Sequence, residues 1–135
     1  KRLFFLNTHL DHMGKVARHE GALLVIDQAT KLSEGLPVIV TGDFNATPDD
    51  EPIQVLVNKS DERHLTHTRD LAELKYGPEW TFHDYGRIPM NERAWIDYIF
   101  VKGNFKVYSN GVITDTLNHL YPSDHCPVMS VIEIL

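Results

Sequence analysis

The run "RLFFLNTHL" at the head of the chain is apolar and rich in β-formers as far as Leu6 and then turns polar. It predicts a buried strand ending near Thr8, with His9 and Asp11 at its C-terminal end. From about Lys15 to Ser33 the period lengthens: Val16, Leu23, Ile26, Ala29 and Leu32 recur at helical spacing, and Gly35 and Pro37 stand where a helix stops. "LPVIVTGD" is continuous in apolar residues, as a strand covered on both faces requires, and it ends in "GDFNATPDD". Asp49 and Asp50 are expected to cap a short helix through about Asn58, with Pro52 tolerated in its first turn.

The second half changes character. "THTRDLAELKYG" reads as another short helical piece, and "EWTFHDYG" as an aromatic strand followed by the polar loop "RIPMNER". "AWIDYIFV" and "FKVYSNGVITD" read as neighbouring strands joined by a turn at 102–104, and "CPVMSVIEIL" as the last strand. Strand, helix, strand, short helices and then several strands imply a mixed α/β (α+β) domain with mostly antiparallel pairing in the second half. Chemistry-bearing side chains gather at the predicted strand ends, where open α/β sheets carry their sites.

A length of 135 residues suits one domain, and 42% hydrophobic with 24% charged residues is a globular composition. The longest apolar runs fall far short of the roughly 18 residues that cross a bilayer, so no transmembrane segment is expected. A net charge of −6 argues against binding nucleic acid by broad phosphate neutralisation. Eight histidines bring metal or proton-transfer chemistry into consideration, whereas the single Cys126 has no internal partner for a disulfide. The opening residues carry neither an initiator Met nor a signal-peptide pattern, so the chain is expected to be a segment of a longer one.

Four short stretches carry the candidate chemistry. In "TGDFNATP" a glycine precedes an acid at a strand end, and Asp43 and Asn45, two apart, can aim a carboxylate and a carboxamide at one water or one hard cation; an Asx-turn is the bland alternative. "NTHLDH" places His9 at the end of the first strand. "WIDYIF" interrupts an apolar strand with Asp97, which needs a partner, and an imidazolium from elsewhere would serve. "YPSDHCPV" supplies that imidazole. Asp124 and His125 are adjacent, so in an extended loop they point opposite ways and must have different partners, with Pro122 and Pro127 restricting the loop. His12, His19, His64, His67 and His119 are expected at the surface or in caps, and the flanking Arg63 and Arg69 argue against a zinc pair at His64 and His67. Trp80, His83 and Tyr85 could line a cleft or pack in the core, and Arg18 and Arg87 are possible phosphate contacts.

Taken in order, "NTHLDH", "GDFNATPDD", "TFHD", "IDYIFV" and "YPSDHCPV" resemble the C-terminal half of the endonuclease/exonuclease/phosphatase superfamily, the deoxyribonuclease-I-like fold. The resemblance implies half of a four-layer α/β/β/α sandwich, with flanking helices, belonging to a divalent-metal phosphodiesterase, nuclease or phosphatase that uses Mg²⁺ or Mn²⁺. It implies His9 and His125 on the scissile phosphate, Asp43 activating water, Asn45 stabilising the transition state near the metal, Asp97 fixing His125, and Asp124 holding the cation with Asp43 and Asn45.

Two departures from the family pattern stand out. Trp95 occupies the place before "IDYIF" where many relatives have Arg, with Arg93 further back. No Asn and metal-binding Glu of the preceding half-domain can be assigned. The segment alone is therefore expected to be inactive, and to expose Leu3, Phe5, Ile39 and Ile99 as an apolar face that meets a missing N-terminal half or another copy. The expected substrate is a phosphoester, a small molecule ahead of nucleic acid. A calcineurin-like metallophosphatase and a non-catalytic phosphate- or partner-binding domain are the rival readings.

Overall fold

A computed structural model describes every residue, Lys1–Leu135. The chain runs β1 (Phe4–His9), α1 (Lys15–Ser33), β2 (Val38–Asp43), α2 (Glu51–Val57), β3 (Thr66–His67), α3 (Thr68–Leu71), β4 (Leu74–Tyr76), β5 (Asp97–Lys102), β6 (Phe105–Val112) and β7 (Val128–Ile134). These strands form two sheets. A four-stranded one is ordered β1-β2-β5-β3, and a three-stranded one β4-β6-β7. β1 lies parallel to β2 and β4 to β6; the other pairs are antiparallel. No helix is long and apolar enough to cross a membrane.

The first half follows its hydrophobic pattern in the placing of its elements, but β1 is an edge strand that alternates half-buried and exposed rather than a buried one. β2 is buried through Val38, Ile39 and Val40 and then opens toward Asp43. α1 buries Ala22, Val25, Ile26, Ala29 and Ser33, while Val16 and Leu32, expected in its apolar stripe, are 76% and 59% exposed. The stripe centres on the line of Ala22, Ile26, Ala29 and Ser33, and the helical period carries positions 16 and 32 off that line. α1 and α2 pack with β2 and β5 around Ile26, Val40, Phe44, Leu56, Tyr98 and Phe100. Phe44 meets both Tyr98 and Phe100 edge-on, at ring separations of 5.6 and 5.3 Å.

Three expectations change. β5 and β6 are successive but do not pair: the turn at Gly103, φ 111°, carries the chain from one sheet into the other. "EWTFHDYG" is not a strand. Only Phe82 makes isolated bridges, to Ala94 and His125, because Asp84 and Tyr85 take positive φ and the chain curls into a 3₁₀ turn closed by the Gly86 amide on His83. The expected apolar face is smaller than anticipated, since Phe5 is 58% and Leu3 39% exposed but Ile39 is buried within the strands.

A polar cluster joins the two sheets. The fully buried Thr68 hydroxyl donates to Ile99 O, and the Asn110 carboxamide donates to both Thr68 and Ser130.

Candidate active site

The registers of two strand pairs build the site. β1 against β2 sets His9 opposite Asp43, and β2 against β5 sets Asp43 opposite Asp97, so the three side-chain positions form one row across the end of the sheet. Gly42 makes this row possible. Its φ is 154°, and a Cβ there would lie 1.9 Å from Thr8 O. β1 approaches β2 too closely for any side chain at that position.

Within the row His9 Nε2 lies 3.3 Å from Asp43 Oδ2. His125 enters from the loop before β7, and its Nδ1 is 2.8 Å from Asp97 Oδ2. The carboxylate can only accept, so Nδ1 carries the proton and Nε2 faces Asp43 at 3.8 Å, an electrostatic contact too long for a hydrogen bond. Asp43 Oδ1 accepts from the Asn45 amide, and Asn45, held at φ 48°, donates Nδ2 to Leu10 O. The Asx-turn weighed as the bland alternative is therefore present at Asp43 and Asn45. Asn45 spends one amide proton on the backbone, which leaves its Oδ1 with no protein partner.

Electrostatics follow from this packing. Burial pushes the Asp43 carboxyl above the ordinary aspartate value; the Asn45 amide opposes that, and the charge of Asp97 adds to it. Burial works against a charged His125, but the Asp97 hydrogen bond and the charges of Asp97, Asp43 and Asp124 outweigh it and hold the imidazole above its usual value. A base that is harder to ionise thus sits beside an acid that stays protonated longer.

Ligand atoms of Asp43, Asp97 and His125 all lie within 4.8 Å of one another, and Asp124 is not part of that group. The Asp124 carboxylate accepts instead from Ser123 Oγ, and its backbone carbonyl from the amides of His83 and Asp84. A pocket of about 490 Å³ lies over the group, lined by Thr41, Asp43, Asp97, Ser123 and His125. A larger cavity of about 690 Å³, between α2 and the side chains of Trp95, Tyr98 and Phe100, touches none of these site residues.

Other sequence expectations sort clearly. His67 is half-buried at the N-cap position of α3, where its side chain makes no capping bond and its ring lies among Trp95, Tyr98 and Phe100. Burial lowers its pKa to about 4. Arg69 is itself buried, pairs with Glu79 and stacks over Trp95. Arg93 lies over Trp80 and donates to Ile88 O. His83 is fully buried against Tyr121, at a ring separation of 4.1 Å, while Tyr85 is exposed. The Phe82 ring, for which the sequence suggests no role, lies 4.9 Å from that of His125. "TFHD" was visible as a pattern, but its contacts depend on a curl that local propensity does not announce.

A sequence model of the Endonuclease/Exonuclease/phosphatase family matches residues 3–125. No match is found among curated proteins. Among solved structures, an endonuclease/exonuclease/phosphatase family protein from Bacteroides thetaiotaomicron is 36% identical, with a TM-score of 0.81 over 95% of this chain and 47% of that one. A mannosyl-6-phosphatase of Bacteroides thetaiotaomicron VPI-5482 is 34% identical, with a TM-score of 0.84 over 96% of this chain and 50% of that one. An endonuclease/exonuclease/phosphatase from Bacteroides vulgatus is 32% identical, with a TM-score of 0.85 over 94% and 48%. The chain spans about half the length of these structures.

Proposed function

Because the chain belongs to the endonuclease/exonuclease/phosphatase family, we propose that it carries the water-activating and phosphate-binding part of a divalent-metal-dependent phosphoester hydrolase. The observation that carries this reading is the row His9, Asp43, Asp97 closed by His125. Phosphoryl transfer to water needs an oriented nucleophile and donors on the equatorial oxygens rather than a covalent intermediate.

In this reading Asp43, ionised, accepts a proton from the attacking water as its oxygen bonds to phosphorus and the ester P–O bond breaks. Its raised pKa makes it a stronger base than a free aspartate. His125, kept protonated by Asp97, donates from Nε2 to a non-bridging oxygen, and His9 does the same from the other side of Asp43. Asn45 offers its remaining amide proton and its free Oδ1.

The oxygens of Asp43 and Asn45 are donors of the type that Mg²⁺ or Mn²⁺ takes, and Asp43 stands with Asp97 and His125 in a cluster whose ligand atoms lie within 4.8 Å of one another, so these residues fit such an ion, while Asp124 lies outside that cluster. Bound there, it would neutralise charge on the phosphoryl oxygens. We assign the remaining family residues, an Asn and a Glu, to an N-terminal half-domain outside this chain. The chain alone is accordingly assigned little activity, and its exposed Phe5 and Leu3 part of the contact with that half.

A small phosphoester is favoured over nucleic acid, because the chain carries a net charge of −6 and a 34%-identical relative is a mannosyl-6-phosphatase. The family match sets the calcineurin-like reading aside. The test is Mg²⁺-dependent hydrolysis of bis(p-nitrophenyl) phosphate and of a hexose 6-phosphate, by the chain alone and by the chain completed with an N-terminal half. Turnover by the completed protein that stops on chelation supports the hydrolase. Phosphate binding without turnover would establish the non-catalytic reading instead.

A further inference from the structure

Asp97 and His125 belong to segments that no regular strand pairing joins. Asp97 opens β5 in one sheet, and His125 lies in a loop leading to β7 in the other. Rigid register therefore cannot by itself set the 2.8 Å contact between them. One residue is hydrogen-bonded to both segments. Thr81, fully buried, accepts the Ile96 and Asp97 amides on its hydroxyl at 3.0 and 3.2 Å, and the Cys126 amide on its carbonyl at 2.7 Å. Its own amide donates to Ala94 O. The next three residues extend the same template. The Phe82 ring packs against His125, and the His83 and Asp84 amides both donate to Asp124 O.

We propose that Thr81 is a positioning residue, whose hydroxyl fixes the start of β5 and whose carbonyl fixes the residue after His125, so that Asp97 and His125 meet as a hydrogen-bonded pair. The hydroxyl is the replaceable half of this device. Without it two buried amides lose their acceptor at once, and the backbone carrying the Asp97 carboxylate must move to find another. Serine keeps the acceptor. Valine keeps the shape and removes it. Thr68 offers a matched comparison, being equally buried and hydrogen-bonded but placed against Ile99 O and Ser130 rather than at the site.

The catalytic meaning of this role rests on the hydrolase reading above, so the test uses signals that need no turnover. In ¹⁵N-labelled, chelator-treated protein, the His125 Nδ1 proton should give a downfield resonance protected from water. Thr81→Ser and Thr68→Val should keep it. Thr81→Val should lose it or speed its exchange at least about tenfold, the effect of one buried hydrogen bond. Wild-type protection in Thr81→Val, or equal loss in Thr68→Val, would overturn the proposal.

Should Thr81→Val fail to fold, the unsubstituted chain still decides. Its Ile96 and Asp97 amides must exchange as slowly as the strand amides of β5, and free exchange of that pair would overturn the role. Absence of phosphoester hydrolysis by the chain completed with an N-terminal half, alongside these signals, would remove the hydrolase and leave the positioning role standing.

Discussion

Asp97 Oδ2 lies 2.8 Å from His125 Nδ1, and the two residues approach from different sheets. The carboxylate fixes the imidazole tautomer and turns Nε2 toward Asp43. In Asp97→Asn the charge and the strong acceptor are both lost, so the His125 pKa should drop from its raised position to the ordinary imidazole value or below. An NMR titration of the His125 ring in the isolated chain measures this directly.

The same pair makes stability pH-dependent. A raised imidazole pKa means that the folded state holds its proton more tightly than the unfolded one, so the contribution is complete below 6.5 and declines as pH rises through the raised value. Denaturant unfolding of the wild-type chain should show that decline above pH 6.5, and Asp97→Asn should flatten it.

Gly42→Ala should break the row by geometry alone. The added Cβ would stand 1.9 Å from Thr8 O, a backbone atom that cannot swing aside, at a φ of 154° that L-residues avoid. A loss of roughly 3 kcal/mol or more is expected in chemical denaturation, with His9 displaced from Asp43. Unchanged stability would mean that β1 and β2 lie further apart than described.

His67 works in the opposite sense to His125. Its pKa is lowered to about 4 by burial among Trp95, Tyr98 and Phe100, so the unfolded chain takes up the proton first as pH falls. Stability should be lost between pH 6.5 and 4, by at most about 3 kcal/mol. His67→Phe should remove that acid sensitivity, as read from unfolding midpoints at pH 7 and pH 5.

His67 also shows where sequence reading stops. Its neighbours Arg63 and Arg69 suggested a solvated segment, yet Arg69 is 6% exposed and His67 faces an aromatic cluster, because β3 pairs His67 with Phe100 thirty-three residues on. By contrast β1, α1 and β2 were legible, since each is written in local periodicity, and so were Asp43 and Asn45 at a glycine-led strand end. Asp97 was legible as a charge that needed a partner, and His125 as an imidazole in a proline-restrained loop. The division into two sheets was not. A three-residue turn between apolar strands reads as a hairpin unless the partners of both strands are known. Thr81 was visible only as the first residue of "TFHD", with no role to read from it, because that role consists of three hydrogen bonds to segments distant in sequence.

The most direct measurement of the central claim is the turnover of a phosphoester by the completed protein with Asp43 replaced by Asn, which preserves shape and removes the base. The account predicts a fall of about 10²- to 10⁴-fold in kcat in saturating Mg²⁺, with folding intact. An Asp43→Asn protein that hydrolyses at the wild-type rate would contradict it.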